Sequence, residues 1–266
     1  MNTIKLYIHS MRMLIKSQLQ YPASFLMQTF AQLIMEGGEM MAVILLVNRF
    51  EHLNQWEAGD LYIFFGMMSV TFYLTEIFCR GLTGNFPSLV RTGGLDTLLL
   101  RPRGVLTQVM CSAADPRRIT CIAVGTAALV TGSRMSNVNW TLGKALLLAE
   151  SVLCGCLLIL GLFMIEAIFC IHSVKSIELV NALTYGGRSA CQYPIDTYPN
   201  PLRILFTTIA PFALVLHVPG AVILDKPLFD LPLWMAYITP LSGVIFFVIL
   251  WFCFQKAMKF YRSTGS

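Results

Sequence analysis

Long apolar stretches that contain almost no Lys or Arg recur along the chain and are separated by short polar connectors. A helix needs about 20 apolar residues to cross the hydrocarbon core of a bilayer. The pattern therefore predicts an all-α integral membrane protein with a single transmembrane domain over residues 1–266. Its six predicted spans are 25–47, 60–79, 105–132, 145–172, 202–220 and 233–254.

The first 20 residues follow a different pattern. Apolar side chains recur there at three- and four-residue spacing, while Lys5, Arg12 and Lys16 line the opposite side. This pattern predicts an amphipathic helix that lies in the membrane surface and contacts membrane lipid. An uninterrupted apolar core, which a cleavable signal peptide would need, is not apparent in this stretch.

The composition agrees with a membrane protein, since 56% of the residues are apolar and only 12% are charged. Soluble domains carry about 25% charged residues. Six spans and short connectors leave no room for an appended catalytic domain. The net charge of +5 could suggest a nucleic-acid partner. The distribution of the basic residues instead follows membrane topology, so we expect no nucleic acid.

Basic residues also predict the orientation of the chain. If the N-terminus is cytoplasmic, the external Lys and Arg residues are only Arg49, Arg134, Lys144 and Lys226. The positive-inside rule then favours a multi-pass protein with both termini in the cytoplasm. The third span is the weakest of the six, because Asp115-Pro116-Arg117-Arg118 interrupts it. Deleting this span would reverse every later helix and make the distribution of basic residues less unequal.

Motifs for catalysis and metal binding are missing from the sequence. The four histidines are scattered, and no phosphate-binding Gly-x-x-x-x-Gly-Lys loop occurs. We therefore expect no catalytic residue, no metal and no cofactor on this chain. None of the eight cysteines lies in a predicted external loop, so a disulfide framework is not expected either.

Two carboxylates lie at the centre of the first predicted span. Glu36 and Glu39 are one helical turn apart, and Gly37-Gly38 between them suggests a close-packing or kinkable backbone. Each charged carboxylate costs about 2.5–3.5 kcal/mol at the middle of a membrane, so the helix scarcely inserts on hydrophobicity alone. Two interpretations remain open. The carboxylates either line a polar path for a substrate or form structural hydrogen bonds between helices.

Two further carboxylates, Glu76 and Glu166, are weaker candidates for the same path. Glu76 lies four residues before Arg80, and this spacing predicts a local ion pair on one helix face.

Residues 91–103 form the second informative stretch. Gly93 and Gly94 break the chain, Thr92 or Asp96 can cap a short helix, and Pro102 can end it. The apolar run is too short to cross a membrane, so we expect a cytoplasmic helix. This helix would either anchor to surface lipid through its basic residues or dock onto a soluble partner.

This stretch resembles the Gly-x-Leu-Asp-x-x-Leu-x-Arg-Pro signature of ABC transporter permeases of the type-2 export superfamily, in its six-span bacterial subgroup. Tyr193-Pro194 and Tyr198-Pro199, followed by Pro211-Phe212-Ala213 and Pro219, extend the resemblance. The tail, residues 260–266, extends it to the end of the chain.

The resemblance implies a permease subunit of an ATP-driven exporter in a bacterial plasma membrane. It would pair with a second six-span permease, identical or paralogous, and with two separate ATPase subunits that hold ATP and Mg. The connector after the second span would be a coupling helix in a groove of the ATPase. The matching positions are Gly94, Leu95, Asp96, Leu98, Leu99, Leu100, Arg101 and Pro102.

Two other classes of function remain. A proton-coupled secondary transporter could use Glu36 and Glu39, but such folds often contain internal repeats, and none is visible here. A membrane-embedded enzyme would need a polar catalytic cluster at one interface, and no cluster of His, Asp or Ser indicates one. The sequence does not indicate the substrate.

Overall fold

The computed structural model describes residues 3–50, 55–110, 112, 113, 115–172, 177–226 and 232–261. These residues form helices and turns, with no strand among them. Three helical segments of the described chain are long and apolar enough to cross a membrane, namely Ala58–Cys79, Leu142–Ile171 and Trp234–Phe260. The protein is therefore an all-α membrane protein, as predicted. Residues 262–266 of the predicted tail motif lie outside the described residues.

The helices are, in chain order, α1 (Thr3–Leu19), α2 (Pro22–Phe50), α3 (Ala58–Cys79), α4 (Gly81–Gly84), α5 (Phe86–Arg91), α6 (Gly94–Leu99), α7 (Val105–Met110), α8 (Arg118–Met135), α9 (Leu142–His172), α10 (Ile177–Ala190), α11 (Asn200–Ile204), α12 (Val218–Ile223), α13 (Leu233–Ala236) and α14 (Leu241–Phe260). Two π-helical segments, Leu205–Ile209 and Ala213–His217, lie between α11 and α12.

Helix α3 is the centre of the bundle and packs closely against α8. A Cβ atom added to Gly66 would lie 2.6 Å from the carbonyl oxygen of Gly125. A Cβ atom added to Gly132 would lie equally close, at 2.6 Å, to the carbonyl oxygen of Gly59. Small residues at these crossings let two backbones approach, which is the usual way in which helices associate in membranes.

The third predicted span, 105–132, is not one helix. Helix α7 ends at Met110, and α8 begins only at Arg118. Pro116 lacks an N–H group and disfavours a helical conformation of the preceding residue. The Asp115 carboxylate is also held by the Arg117 side chain at 2.6 Å. Only α8 therefore packs along α3, and residues 105–110 belong to the group of short helices α4–α7.

The two ends of the bundle are easily distinguished. One end carries the short helices α4–α7, and we call it the α6 end. The other carries Trp56, just before α3, and we call it the Trp56 end. The Tyr7 hydroxyl of α1 donates to the carbonyl of Phe78 at 2.9 Å. Residues Thr3–Leu19 are thus helical, and this helix contacts the α6 end.

The fifth predicted span, 202–220, differs from the prediction. It is a pair of segments, Asn200–Ile209 and Ala213–Ile223, with an angle of 83° between them. Before the pair, Asp196 accepts a hydrogen bond from Trp56 Nε1 at 2.8 Å. After it, Asp225 pairs with Lys144 Nζ at 2.7 Å. The bent pair therefore starts and returns at the Trp56 end.

The stretch before the bent pair also differs from the prediction, which made residues 173–201 a cytoplasmic connector. Helix α10 lies inside the bundle, where the Tyr185 hydroxyl faces Glu76 at 3.4 Å. The chain then continues to Asp196 at the Trp56 end. Residues 177–198 thus run the length of the bundle. Tyr193 and Tyr198, which lie in that predicted connector, follow α10 toward the Trp56 end.

Candidate functional site

Glu36 and Glu39 meet at one guanidinium group. Arg188 Nη2, from α10, lies 2.8 Å from Glu36 Oε2 and 2.7 Å from Glu39 Oε2. The two predicted carboxylates of α2 are therefore brought together by a residue that the sequence analysis had placed in a loop. A single cation pairs with both, so neither carboxylate is left alone in an apolar environment.

Neutral donors complete the surroundings of these carboxylates. Ser69 Oγ donates to Glu36 Oε1 at 2.8 Å, and the Tyr73 hydroxyl donates to Glu36 Oε2. Gln192 Nε2 donates to Glu39 Oε2 at 3.0 Å. Glu36 is only 2% exposed, so its charge depends wholly on these partners and on Arg188.

A second ion cluster lies one helical turn further along α3, at Glu76. The predicted pair of Glu76 and Arg80 is confirmed at 3.5 Å, but Arg118 Nε is closer to Glu76, at 2.8 Å. Asp115 is buried beside them and pairs with Arg117 at 2.6 Å and with Arg80 at 3.4 Å. The tetrapeptide that interrupts the third predicted span is therefore folded onto α3 by ion pairs.

A cavity of about 270 Å³ joins the two clusters. Both guanidinium groups that line it face the ring of Tyr73, with Arg188 Cζ 4.7 Å and Arg118 Cζ 5.2 Å from the ring centroid. We call the eight charged residues of the two clusters the central network, of which Glu36, Glu39, Glu76, Arg118 and Arg188 line the cavity. Its members are Glu36, Glu39, Glu76, Asp115, Arg80, Arg117, Arg118 and Arg188.

Sequence analysis missed several parts of this site. Ser69, Tyr73 and Glu76 share one face of α3, because they are spaced by four and three residues. This polar stripe on an otherwise apolar helix was the signal that could have identified them. Arg188 carried no comparable signal, since its partner Glu39 is 149 positions away.

The remaining residue predicted for the path, Glu166, lies apart from the central network. Glu166 is buried, and its Oε2 atom has no hydrogen-bond partner within the described residues.

Gly37 and Gly38 also differ from the close-packing interpretation. A Cβ atom added to either would meet nothing within 4 Å in the described chain.

The predicted short helix in the second informative stretch is present as α6, but its ends differ from the prediction. Gly93 precedes the helix with a left-handed φ of 69°, and no side chain caps it. Glycine adopts this conformation without steric cost, so neither Thr92 nor Asp96 is needed as a cap. The helix ends at Leu99, before Pro102 is reached.

One side of α6 is anchored and the other is open. Leu95 is fully buried, whereas Leu99, Leu100, Arg101 and Pro102 are exposed. Leu100 is 87% exposed. Gln108 of α7 holds the following turn, since its Nε2 donates to the carbonyls of Leu98 at 3.1 Å and Arg103 at 3.0 Å. Gln108 is a supporting residue that the sequence analysis did not identify.

The last described residue of the chain lies close to α6. Burial and the Asp96 carboxylate beside it raise the pKa of Tyr261, which follows α14. Tyr261 of the tail motif and Asp96 of the α6 motif thus meet at the α6 end.

The Trp56 end has an ion pair of its own. Asp60 is buried and pairs with Lys226 Nζ at 2.6 Å, and Ser136 Oγ donates to the same carboxylate at 2.7 Å. Lys226 follows the bent pair, so this contact ties the end of the pair to α3.

Comparison with known proteins identifies the class of this bundle. Neither a curated protein nor a solved structure matches the chain. A family model described as "ABC-2 family transporter protein" matches residues 33–265, which include the central network and α6. The chain therefore belongs to the ABC-2 transporter family and is a transmembrane permease.

Proposed function

We propose that this permease forms half of the translocation path of a bacterial ABC exporter. It works with a second permease, identical or paralogous, and with two separate ATPase subunits that bind ATP and Mg. The chain lies in the plasma membrane with both termini in the cytoplasm. The α6 end then faces the cytoplasm, and the Trp56 end faces outward.

The observation that carries this proposal is the open side of α6. Leu99 and Leu100 are exposed beside Arg101 and Pro102, while Leu95 on the same helix is buried in the bundle. An apolar pair exposed on an anchored helix indicates a surface that a soluble partner covers, because contact with water alone is unfavourable. Since α6 is held by Gln108 and lies next to Tyr261, a force on it would reach α7 and α14.

The helices support six crossings with one change from the sequence-based assignment. The crossings would be α2, α3, α8, α9, residues 177–198 and α14. Residues 177–198 replace 202–220 as the fifth crossing, because the bent pair starts and returns at the Trp56 end. This exchange keeps both termini on one side.

The second permease would cover the outer face of α2. Met27, Phe30 and Met35 are exposed on this helix, and Gly37 and Gly38 face open space. Small residues beside large apolar ones are typical of surfaces on which membrane helices associate. The central network would then lie just behind the interface between the two permeases.

The central network is the proposed polar section of the translocation path, and its glutamates Glu36, Glu39 and Glu76 would line that path. Glu166 would contribute separately, because it lies outside the network. A proton-coupled mechanism at Glu36 and Glu39 is not favoured, since Arg188 pairs with both carboxylates. No observation favours a membrane-embedded enzyme.

The Leu99→Asp variant tests the contact with the ATPase. A charge in an apolar contact is expected to weaken binding by about 2 kcal/mol, or roughly 30-fold. We therefore expect the tagged variant to lose most of the ATPase that co-purifies with the wild-type permease. The matched control is Leu142→Asp, because Leu142 is also exposed, at 78% against 44% for Leu99, but lies at the other end of the bundle.

Two results would contradict the proposal. One is full transport by the purified permease with no ATPase present. The other is equal recovery of the ATPase with the Leu99→Asp variant, the Leu142→Asp variant and the wild-type permease.

A further inference from the structure

A groove of about 760 Å³ lies between α8 and α9 at the Trp56 end. It is separate from the central network and shares no lining residue with that cavity. Its lining changes in character along its length. One part is made by Leu129, Val130 and Leu148, and the part next to the connector between the helices is made by Arg134, Asn139 and Trp140.

The apolar part of the groove opens toward the surroundings of the bundle. Val130 is 46% exposed, and Thr126, one turn before it, is exposed as well. In an integral membrane protein, the medium outside such a surface is lipid. An acyl chain in this groove would cover apolar side chains that the protein leaves exposed.

The polar part of the groove is suited to a phosphate. Arg134 forms no salt bridge within the part of the chain that the structure describes, and a guanidinium can bind phosphate oxygens through two parallel hydrogen bonds. Asn137 and Asn139 add neutral amide groups beside it. Trp140 is half-exposed at the rim, as tryptophans are at the boundary between membrane and water.

The charge of the lining separates two classes of lipid. None of the groove-lining residues is Asp or Glu. The ammonium of a zwitterionic headgroup would therefore find no carboxylate in the groove, whereas an uncharged polyol can use the amides and Ser133. We propose that this groove binds an anionic phospholipid with a polyol headgroup, with the phosphate at Arg134 and one acyl chain along Val130 and Leu148.

A different role for Arg134 alone would not account for the groove. Arg134 lies in the last turn of α8, where the helix dipole favours a cation. That role needs no amides, no tryptophan and no open apolar channel beside the cation. The combination of these features on two helices points to a bound lipid.

The experiment titrates the purified full-length permease with phosphatidylglycerol or phosphatidylethanolamine and counts bound lipids by native mass spectrometry. We expect tighter binding of phosphatidylglycerol. Arg134→Gln should weaken that binding at least about tenfold, because the charge-assisted hydrogen bonds of the guanidinium to the phosphate are lost. The matched control is Arg91→Gln, which removes an exposed arginine at the α6 end.

A second pair of variants tests the apolar part. Val130→Trp fills the groove and should displace the lipid, whereas Leu146→Trp enlarges a 60% exposed leucine that does not line it. Loss of phosphatidylglycerol in Arg134→Gln and Val130→Trp, with retention in both controls, supports the site. Equal binding of the two lipids, or equal losses in variants and controls, would overturn it.

Discussion

Arg188 is the residue on which the centre of the bundle depends most. Its guanidinium holds Glu36 and Glu39 of α2 and stacks on Tyr73 of α3, so one side chain connects three helices. Removing one partner of a buried ion pair typically costs about 3–5 kcal/mol, because the remaining charge has no partner. Replacing Arg188 and both of its carboxylate partners by neutral residues avoids that cost, because no buried charge then lacks a partner.

This difference separates a structural role of the network from a role in transport. Arg188→Gln should lower the melting temperature of the purified permease markedly, because two carboxylates lose their cation. The triple variant Glu36→Gln, Glu39→Gln and Arg188→Gln should recover most of that loss. Transport-coupled ATP hydrolysis in proteoliposomes should stay impaired in the triple variant if the charges belong to the path.

The control for this experiment is Lys226→Gln, which breaks the ion pair with Asp60 at the Trp56 end and leaves the central network intact. Normal coupled hydrolysis in the triple variant would show that the charges serve only to hold the helices together.

Residue-level prediction succeeded where a residue was costly in its own segment. Glu36 and Glu39 were identified because two carboxylates in an apolar span are unfavourable without partners. Arg188 and Arg118 were missed as partners, because the positive-inside rule assigned both arginines to the cytoplasmic side. A count of charges cannot distinguish a loop arginine from one that is buried against a carboxylate far away in the sequence.

At the scale of elements, α3 and α8 make the most extensive contact among the described helices. The Cβ atom of an alanine at Gly66 would lie 2.6 Å from the Gly125 carbonyl oxygen, so Gly66→Ala must push the helices apart. We expect a loss of about 1–3 kcal/mol, as for other overpacked sites. The measurement is the apparent melting temperature of the purified permease in detergent.

Gly186 of α10 provides the matched control, because an added Cβ atom there meets nothing within 4 Å. Gly186→Ala should be neutral or slightly stabilising, since alanine favours helix more than glycine does. Similar losses in both variants would mean that the close contact between α3 and α8 does not limit stability.

The start or interruption of a helix was predictable where residues adjacent in the sequence determine it. Gly93 and Gly94 correctly indicated the start of α6, although the backbone of Gly93 begins the helix instead of a capping side chain. Asp115-Pro116 correctly indicated a weakness in the third predicted span. The path of the broken segment was not predictable, because it depends on ion pairs between Asp115 and α3 residues that only the fold brings near.

At the scale of the whole molecule, the path of residues 173–223 separates two topologies. In the structure, Asn200 is exposed near the Trp56 end, which is external in the proposed orientation. We expect Asn200→Cys to react with a membrane-impermeant maleimide in intact cells. Thr141→Cys, in the connector between α8 and α9, should react as well.

The internal control is Arg91→Cys, which is exposed at the α6 end outside the proposed ATPase contact and should react only after the cells are permeabilised. The variants need a background in which the exposed Cys253 is replaced. Labelling of Asn200→Cys only after permeabilisation would restore 202–220 as the fifth crossing.

Hydropathy misplaced the fifth crossing for a physical reason. Residues 202–220 are apolar enough for a span, but Pro211 lies at their centre and the two halves bend by 83°. Residues 177–198 include polar residues such as Arg188 and Gln192, whose cost is offset by Glu36 and Glu39. Apolarity averaged over a window cannot register such pairing between distant segments.

The balance of charge in the central network has a consequence for energetics. Its four carboxylates oppose four guanidinium groups, so a movement of the whole network as a unit carries no net charge across the bilayer. A displaced elementary charge would couple to the transmembrane voltage by about 2.3 kcal/mol per 100 mV. A neutral set that moves as a unit displaces no net charge, so the membrane potential neither drives nor opposes that movement.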